Sequence, residues 1–292
     1  MVVPNGSSNR IDRPLVSRNL AGHTDDVSTA LPGICPLFPS MTAIEANGLT
    51  KRYGDVLAVD DLSLSVPTGS IYGFLGPNGA GKTTTMRLLT ALTAPTSGTA
   101  TVAGVPVDDR AALSERIGYL PAEPPVFDEL TGREYLRYVA RLHELDRDDI
   151  DRDIDRYLER FSLADDADRR IDGYSTGMCK KVGVIGAVIH SPAVLFLDEP
   201  TSGLDPRAAR TMREMIAELA DREMTVFLST HILPVASELA DTVGVIHEGR
   251  LVAEGGPAEL EGQVDDRADG DAGGDLESAF LELTESHPQR AP

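Results

Sequence analysis

Positive charge, lysine, cysteine and long apolar runs are all scarce in this 292-residue chain, and tryptophan is absent. The 27 Lys and Arg face 47 Asp and Glu, a formal charge of −20. A phosphate backbone demands a positive surface, so the charge argues against a nucleic-acid partner. Direct adhesion to anionic lipid is disfavoured on the same ground. Cys35 and Cys179 are the only cysteines, too few for a disulfide framework, and a reducing compartment is expected. The longest apolar stretches, Val182–Ile189 and Val194–Leu197, fall far short of the ~20 residues a membrane helix needs. The first 20 residues hold no apolar segment like that of a secretory signal. A soluble, cytoplasmic protein is therefore expected. The deficit of positive charge is not a property of the tails: residues 41–262 carry 22 basic against 36 acidic residues, or −14.

What is present suits one large α/β domain, since 41% hydrophobic residues suffice for a core at this length. Residues 1–40 are rich in Ser, Asn, Pro and Gly and show no apolar period. Residues 1–41 are thus expected to be a disordered extension, with Met41 as the translation start or, alternatively, with the first 40 residues as an unstructured arm. Strands are expected at Leu62–Val66, Ser70–Leu75, Gly98–Ala103, Ile117–Leu120, Val194–Leu197 and Thr225–Leu228. Helices should follow Gly81 and Ser175. Thr131-Gly-Arg-Glu134 has the spacing of a capping box and should open a helix reaching about Leu142. Ile150, Ile154, Tyr157, Leu158 and Phe161 recur at helical spacing over Asp149–Phe161. Asp205-Pro206 pairs an N-cap with a first-turn proline and should begin a helix running to about Arg222. An acidic Gly/Asp linker is expected over 263–275, and a short C-terminal segment over 276–292, with a helix near Leu276–Thr284.

The strongest chemical signal is Gly76-Pro77-Asn78-Gly79-Ala80-Gly81-Lys82-Thr83-Thr84, lying between an apolar strand and a helix. Glycines let backbone amides curl around a phosphate, the helix N-terminus adds its positive end, the lysine neutralises the outer phosphates and the Thr83 hydroxyl suits Mg²⁺. Downstream, an apolar strand ends in Asp198 and Glu199. Two adjacent carboxylates at a strand end point in different directions. One can serve Mg²⁺ and the other can activate water. Tyr174-Ser175-Thr176-Gly177-Met178 places a cap at a helix start, and His231 follows the strand Thr225–Leu228.

Taken together, these residues resemble the ATPase subunit of an ATP-binding cassette (ABC) transporter, over about residues 42–262 and in motif order. The resemblance implies an α/β fold, a P-loop NTPase core with a β-subdomain and an inserted helical subdomain at about 123–190. It implies ATP and Mg²⁺ as ligands. Tyr53 would stack on adenine, and Gly76–Thr84 would be the Walker A loop. Thr83 and Asp198 would hold Mg²⁺, Glu199 would be the catalytic base, and His231 would contact the γ-phosphate. Ser175, Thr176, Gly177 and Met178 would be the signature motif that contacts a partner's ATP, and Asp205 would lie in the dimer loop. Two departures stand out. Ala122 occupies the place of the usual Gln, so that either Glu123 beside it substitutes, which is the expectation, or the relay to the membrane partner is weakened. The signature carries Thr176, Met178 and Cys179 in unusual positions. Cys179 reads as a small helical residue, although Lys180 and Lys181 could lower its pKa.

The resemblance further implies a sandwich dimer, with a second copy or a homologue, and separate membrane permease chains faced by the segment near Glu123–Arg141. The chain would lie on the inner face of the membrane. Ile71-Tyr-Gly-Phe-Leu-Gly and Leu276-Glu-Ser-Ala-Phe-Leu-Glu-Leu-Thr look most like exporter-type subunits, including those of drug efflux. The alternative is an ABC ATPase acting on ribosomes or DNA; one cassette, no long heptad run and the charge of −20 stand against it. A surface rich in Asp and poor in Lys, with 28 Asp, 19 Glu and 4 Lys, is expected of a salt-loaded cytoplasm such as a halophile's.

Overall fold

Alternation of apolar and polar residues from Thr42 onward builds the first strand, β1 (Thr42–Tyr53), which buries Ile44, Ala46 and Leu49 on one face. The chain turns at Gly54-Asp55 into the antiparallel β2 (Val56–Pro67). This strand starts earlier than the Leu62–Val66 expected, because its first half continues the hairpin. The next elements are β3 (Ile71–Leu75), α1 (Lys82–Leu89), β4 (Ser97–Val102), β5 (Val105–Pro106), α2 (Arg110–Ser114) and β6 (Ile117–Leu120). After β6 only helical elements follow until the next strand: α3 (Gly132–Leu142), α4 (Arg147–Arg160), two short 3₁₀ turns and α5 (Thr176–Val188). Then come β7 (Val194–Asp198), α6 (Pro206–Ala220), β8 (Thr225–Thr230), α7 (Leu233–Leu239), β9 (Thr242–His247) and β10 (Arg250–Gly255). The computed structural model describes residues 42–145, 147–220 and 224–260. The expectations for the N-terminal extension, the linker 263–275, the C-terminal segment and a helix end at Arg222 lie outside these residues.

The strands form two sheets. One is antiparallel, in the order β2-β1-β4-β5. The other runs β10-β9-β3-β8-β7-β6, parallel except at its β10 edge. Strands in a parallel sheet covered on both faces should be apolar throughout, and all five residues of β7 are buried. Their side chains alternate: Val194 and Phe196 join the cluster shared with the antiparallel sheet, while Leu195 and Leu197 join the cluster shared with the helices after β6. Tyr72, Phe74 and Phe196 surround Phe227, with ring centroids 5.2 to 5.6 Å away. Full burial of each such ring is worth roughly 1.5–3 kcal/mol. The β9–β10 hairpin was not anticipated from the sequence.

Local signals set the helix ends. The Thr131 side chain accepts from the Glu134 amide at 3.2 Å while the Glu134 carboxylate accepts from the Thr131 amide at 2.9 Å, the reciprocal box expected of that spacing. Asp205 Oδ1 accepts from the amides of Arg207 and Ala208 at 2.9 and 3.0 Å and caps α6. The acids of α4 and the following turn lie at the surface, and most meet an arginine: Asp151 with Arg137, Asp155 and Asp168 with Arg133, Asp149 with Arg152, Asp153 with Arg156. The dense Asp run is thus a ladder of surface ion pairs, each worth only about 0–1 kcal/mol.

Candidate active site

The C-terminal ends of β3, β7 and β8 lie side by side, because β8 pairs with both neighbours in parallel register. Open parallel sheets bind ligands at this edge, beyond the carboxyl ends of the strands. The loop leaving β3 is the glycine-rich segment. Gly79 and Gly81 take φ values of +84° and +107°, which L side chains rarely adopt. At Gly76 a Cβ would come within 2.5 Å of the Ile246 carbonyl oxygen, so the loop has no room for a side chain there. The turn between β9 and β10 braces its back, with the Gly249 amide donating to Ala80 O at 2.9 Å.

Lys82, at the start of α1, is 6% exposed. Its ammonium donates to Gly76 O at 2.7 Å and Pro77 O at 3.1 Å, and it lies 3.3 Å from Glu199 Oε1. Glu199 Oε2 meets His231 Nδ1 at 2.9 Å. Asp198 is buried, and its Oδ2 accepts from the Thr83 hydroxyl at 2.9 Å. The structure therefore brings together Lys82, Thr83, Asp198, Glu199 and His231 from three separate stretches of chain. The Tyr119 hydroxyl on β6 is pushed up to about 12, first by burial and then by the charge of Asp198.

Two partners of these carboxylate residues escaped sequence reasoning. Ser229 pairs with Asp198 in the β7–β8 register. Its hydroxyl donates to Asp198 Oδ1 and accepts from the Glu199 amide at 3.2 Å. Lys180 on α5 donates to the carbonyls of Glu199 and Ser202 at 2.8 and 2.7 Å. Its place next to the signature was visible, but its destination was not. The suggestion that Lys180 and Lys181 lower the Cys179 pKa is overturned. Both ammonium groups turn away to backbone carbonyls, Lys181 to Phe161 O at 3.0 Å. Burial, and then the charge of Asp128, pushes the Cys179 thiol up.

Glu199 takes a φ of +48°, an unfavourable conformation for a residue with a Cβ, costing roughly 1–3 kcal/mol. It is held by the Ser229 contacts to its amide and by two donors to its carbonyl, Lys180 Nζ and the Ser202 amide at 3.1 Å. The turn separates two neighbouring carboxylates, Asp198 toward Thr83 and Ser229, Glu199 toward Lys82 and His231.

The other expected site residues lie apart from this cluster. Ser175 caps α5 by accepting from the Met178 amide at 3.3 Å. Among the described residues, no hydrogen bond or ion pair joins Ser175–Met178 to Lys82, Asp198 or Glu199. Tyr53 is exposed at the end of β1, with the Lys51 ammonium 4.9 Å from its ring centroid. Ala122 and Glu123 are exposed in the loop after β6, and the Glu123 carboxylate has no hydrogen-bond or ion-pair partner among the described residues.

A glycine cradle at a strand end, a buried lysine behind it and two divergent carboxylates beside it define a P-loop nucleoside triphosphatase. The family described as ABC transporter matches residues 59–202. The chain is 42% identical over 224 residues to the daunorubicin resistance ATP-binding protein DrrA3 of Streptomyces coeruleorubidus, across 76% of this chain and 71% of that one. It is 38% identical over 252 residues to the Nod factor export ATP-binding protein I of Mesorhizobium japonicum, across 86% and 73%. A solved structure of the ATP-binding subunit of an ABC transporter superposes with a TM-score of 0.73 at 29% identity, over 83% of this chain and 99% of that one. The chain belongs to the ABC transporter family, and it is an ATP-binding subunit whose ATP hydrolysis is coupled to transport.

Proposed function

We propose that this subunit powers export through separate membrane-spanning permease chains, working as a dimer on the inner face of the membrane. The observation that carries the ATPase site is the meeting of Lys82, Glu199 and His231 beside Asp198 and Thr83. The loop amides and Lys82 bind the phosphates of ATP, and Tyr53 offers its exposed ring to adenine. Thr83 and Asp198 present a hydroxyl and a carboxylate to one point, hard oxygen donors that suit Mg²⁺. When bound there, Mg²⁺ offsets charge on the β- and γ-phosphates. Glu199 orients the attacking water and takes up its proton, while His231, on its other side, steadies the carboxylate and reaches the γ-phosphate. Ser175–Met178, at the head of α5, close over a second subunit's ATP, and Asp205 fixes the loop between the two. Export as the direction rests on relatives named for Nod factor export and daunorubicin resistance.

The permease side has a candidate face. A cavity of about 310 Å³ opens between β6, α3 and α5, lined by Leu120, Phe127, Tyr135, Tyr138, Leu142 and His143. Phe127, Tyr138 and Leu142 are exposed large apolar side chains. At its floor His143 and His190 stack with ring centroids 3.7 Å apart. Burial, and then the neighbouring His143, holds His190 down to about 4, and burial also lowers His143. An apolar helix end of the permease fits this surface. Glu123, at the edge of the same loop, is the available oxygen donor beside Ala122. Replacing Glu123 with Ala is expected to weaken Mg²⁺ dependence and coupling several-fold in an ATPase titration. An unchanged Mg²⁺ curve discards the substitution of Glu123 for the usual Gln.

The body's −14 remains after its ion pairs are counted, because each pair is neutral. Self-repulsion on that scale is relieved by screening, with a Debye length of about 3 Å at 1 M salt against ~10 Å at 0.1 M. The purified chain is expected to hydrolyse ATP in molar KCl with Mg²⁺. Chelating Mg²⁺ should stop hydrolysis, and dilution to ~0.1 M salt should cost both activity and folded signal in circular dichroism. Full activity after chelation discards the metal assignment, and a fully folded, active chain in dilute salt discards the halophilic one.

A further inference from the structure

We propose that Lys180 is a positioning residue for hydrolysis: by holding the Glu199 and Ser202 carbonyls it sets the turn that aims the Glu199 carboxylate. The inference rests on Glu199 being the base.

Lysine is rare here, and a lysine that is 3% exposed is rarer still. Among the described residues, Lys180 has no carboxylate in hydrogen-bond contact. Its ammonium is spent on two neutral carbonyls, at 2.8 and 2.7 Å. Burial lowers its pKa, while the nearby charges of Glu199 and Asp198 oppose that shift and favour the ammonium. A cation kept in such a place is costly unless its donors are used. Here they are used on both ends of one turn, Glu199 to Ser202, whose own closing bond runs from the Ser202 amide to Glu199 O at 3.1 Å.

That turn begins with the residue at φ +48°. A non-glycine residue stays in the left-handed region only where its surroundings over-determine it. Ser229 secures the amide side of Glu199 and Lys180 the carbonyl side. Releasing the carbonyl side lets the peptide after Glu199 rotate toward ordinary backbone angles, and the carboxylate leaves its place between Lys82 and His231. Catalytic geometry tolerates little such movement, and a shift of about 1 Å can cost 10²-fold in rate. Lys180 also sits in the helix that Ser175 caps, so the residues proposed to touch a partner's ATP and the residue that aims this chain's own base share one rigid element.

The test is steady-state ATPase kinetics of the full chain in molar KCl, with Lys180→Met, Lys180→Gln and Lys180→Arg. Methionine keeps an unbranched apolar stem and removes all donors. Glutamine restores donors without charge, and arginine restores both. Lys180→Met should lower kcat at least tenfold with KM for ATP within twofold of wild type, and Lys180→Arg or Lys180→Gln should recover part of the loss. In a Glu199→Gln background, Lys180→Met should cause no further loss, because the residue acts through Glu199. Wild-type kcat in Lys180→Met overturns the proposal. So does a fall in kcat matched by an equal rise in KM, or a full additional loss in the Glu199→Gln background. If Lys180→Met fails to fold, Lys180→Leu takes its place under the same criteria: wild-type kcat, or a fall in kcat matched by a rise in KM, overturns the proposal, as do Gln and Arg variants that are both inactive with KM raised, and a lowered kcat at constant KM supports it. If Glu199→Gln itself turns over normally, it is the assignment of the base that fails.

Discussion

Glu199→Gln is expected to bind ATP as well as wild type or better and to hydrolyse it 10²- to 10⁴-fold more slowly, the range a positioned general base contributes. The change removes one charge and one proton acceptor and almost no volume. The amide still reaches His231, and Asp198, Thr83 and Ser229 are untouched, since none of their bonds runs through the Glu199 carboxylate. Lys82 loses its 3.3 Å ionic neighbour but keeps the Gly76 and Pro77 carbonyls. Less negative charge then faces a polyanionic ligand, so affinity has no reason to fall. Slow turnover with intact binding should trap the ATP-bound dimer, visible as an ATP-dependent doubling of mass in light scattering. A kcat within twofold of wild type discards Glu199 as the base. Normal hydrolysis loss without any dimer discards the sandwich arrangement and leaves the base in place.

The site was legible where its chemistry is contiguous in sequence. Gly76–Thr84 and the pair Asp198-Glu199 each sit on one short stretch whose residue types are dictated by phosphate and carboxylate chemistry. The elements carrying them were legible too: Val194 to Asp198 reads as a buried strand because both its faces are covered, and Thr131 and Asp205 announce helix starts because caps are local. Contacts set by strand register or by helix direction were not legible. Ser229 reaches Asp198 only because β7 and β8 pair in parallel at that register, which no local pattern encodes. The left-handed turn at Glu199 carries no glycine to mark it. Lys180 and Lys181 follow Cys179 in sequence, yet successive helix residues fan out by ~100°, so neighbours in the chain do not face each other. That is why one lysine enters the active-site turn, the other caps the end of the α4 segment at Phe161, and the thiol is left without a cation.

Lys82→Ala should fail one step earlier, at binding. Lys82 bonds to the Gly76 and Pro77 carbonyls and lies against the Glu199 carboxylate. Without it, two carbonyl dipoles and the carboxylates of Asp198 and Glu199 face the incoming phosphates with only loop amides and the helix end to oppose them. A charge-assisted hydrogen bond contributes about 1.5–3 kcal/mol, or roughly 10- to 150-fold in affinity. Further loss comes in the transition state, where charge on the transferred phosphoryl group is stabilised by the same ammonium. The expected result is ATP affinity weakened at least tenfold in a fluorescent-nucleotide titration and kcat/KM lowered by about 10³ or more. Binding within twofold of wild type discards Lys82 as the phosphate contact. Lys82→Arg should not rescue, because a planar fork cannot enter a buried cleft shaped for a compact ammonium. The two variants thus separate what one loop and one strand end do. Lys82→Ala loses the ligand and with it any ATP-dependent dimer, whereas Glu199→Gln keeps both and loses the reaction, a contrast that general unfolding of the site cannot reproduce.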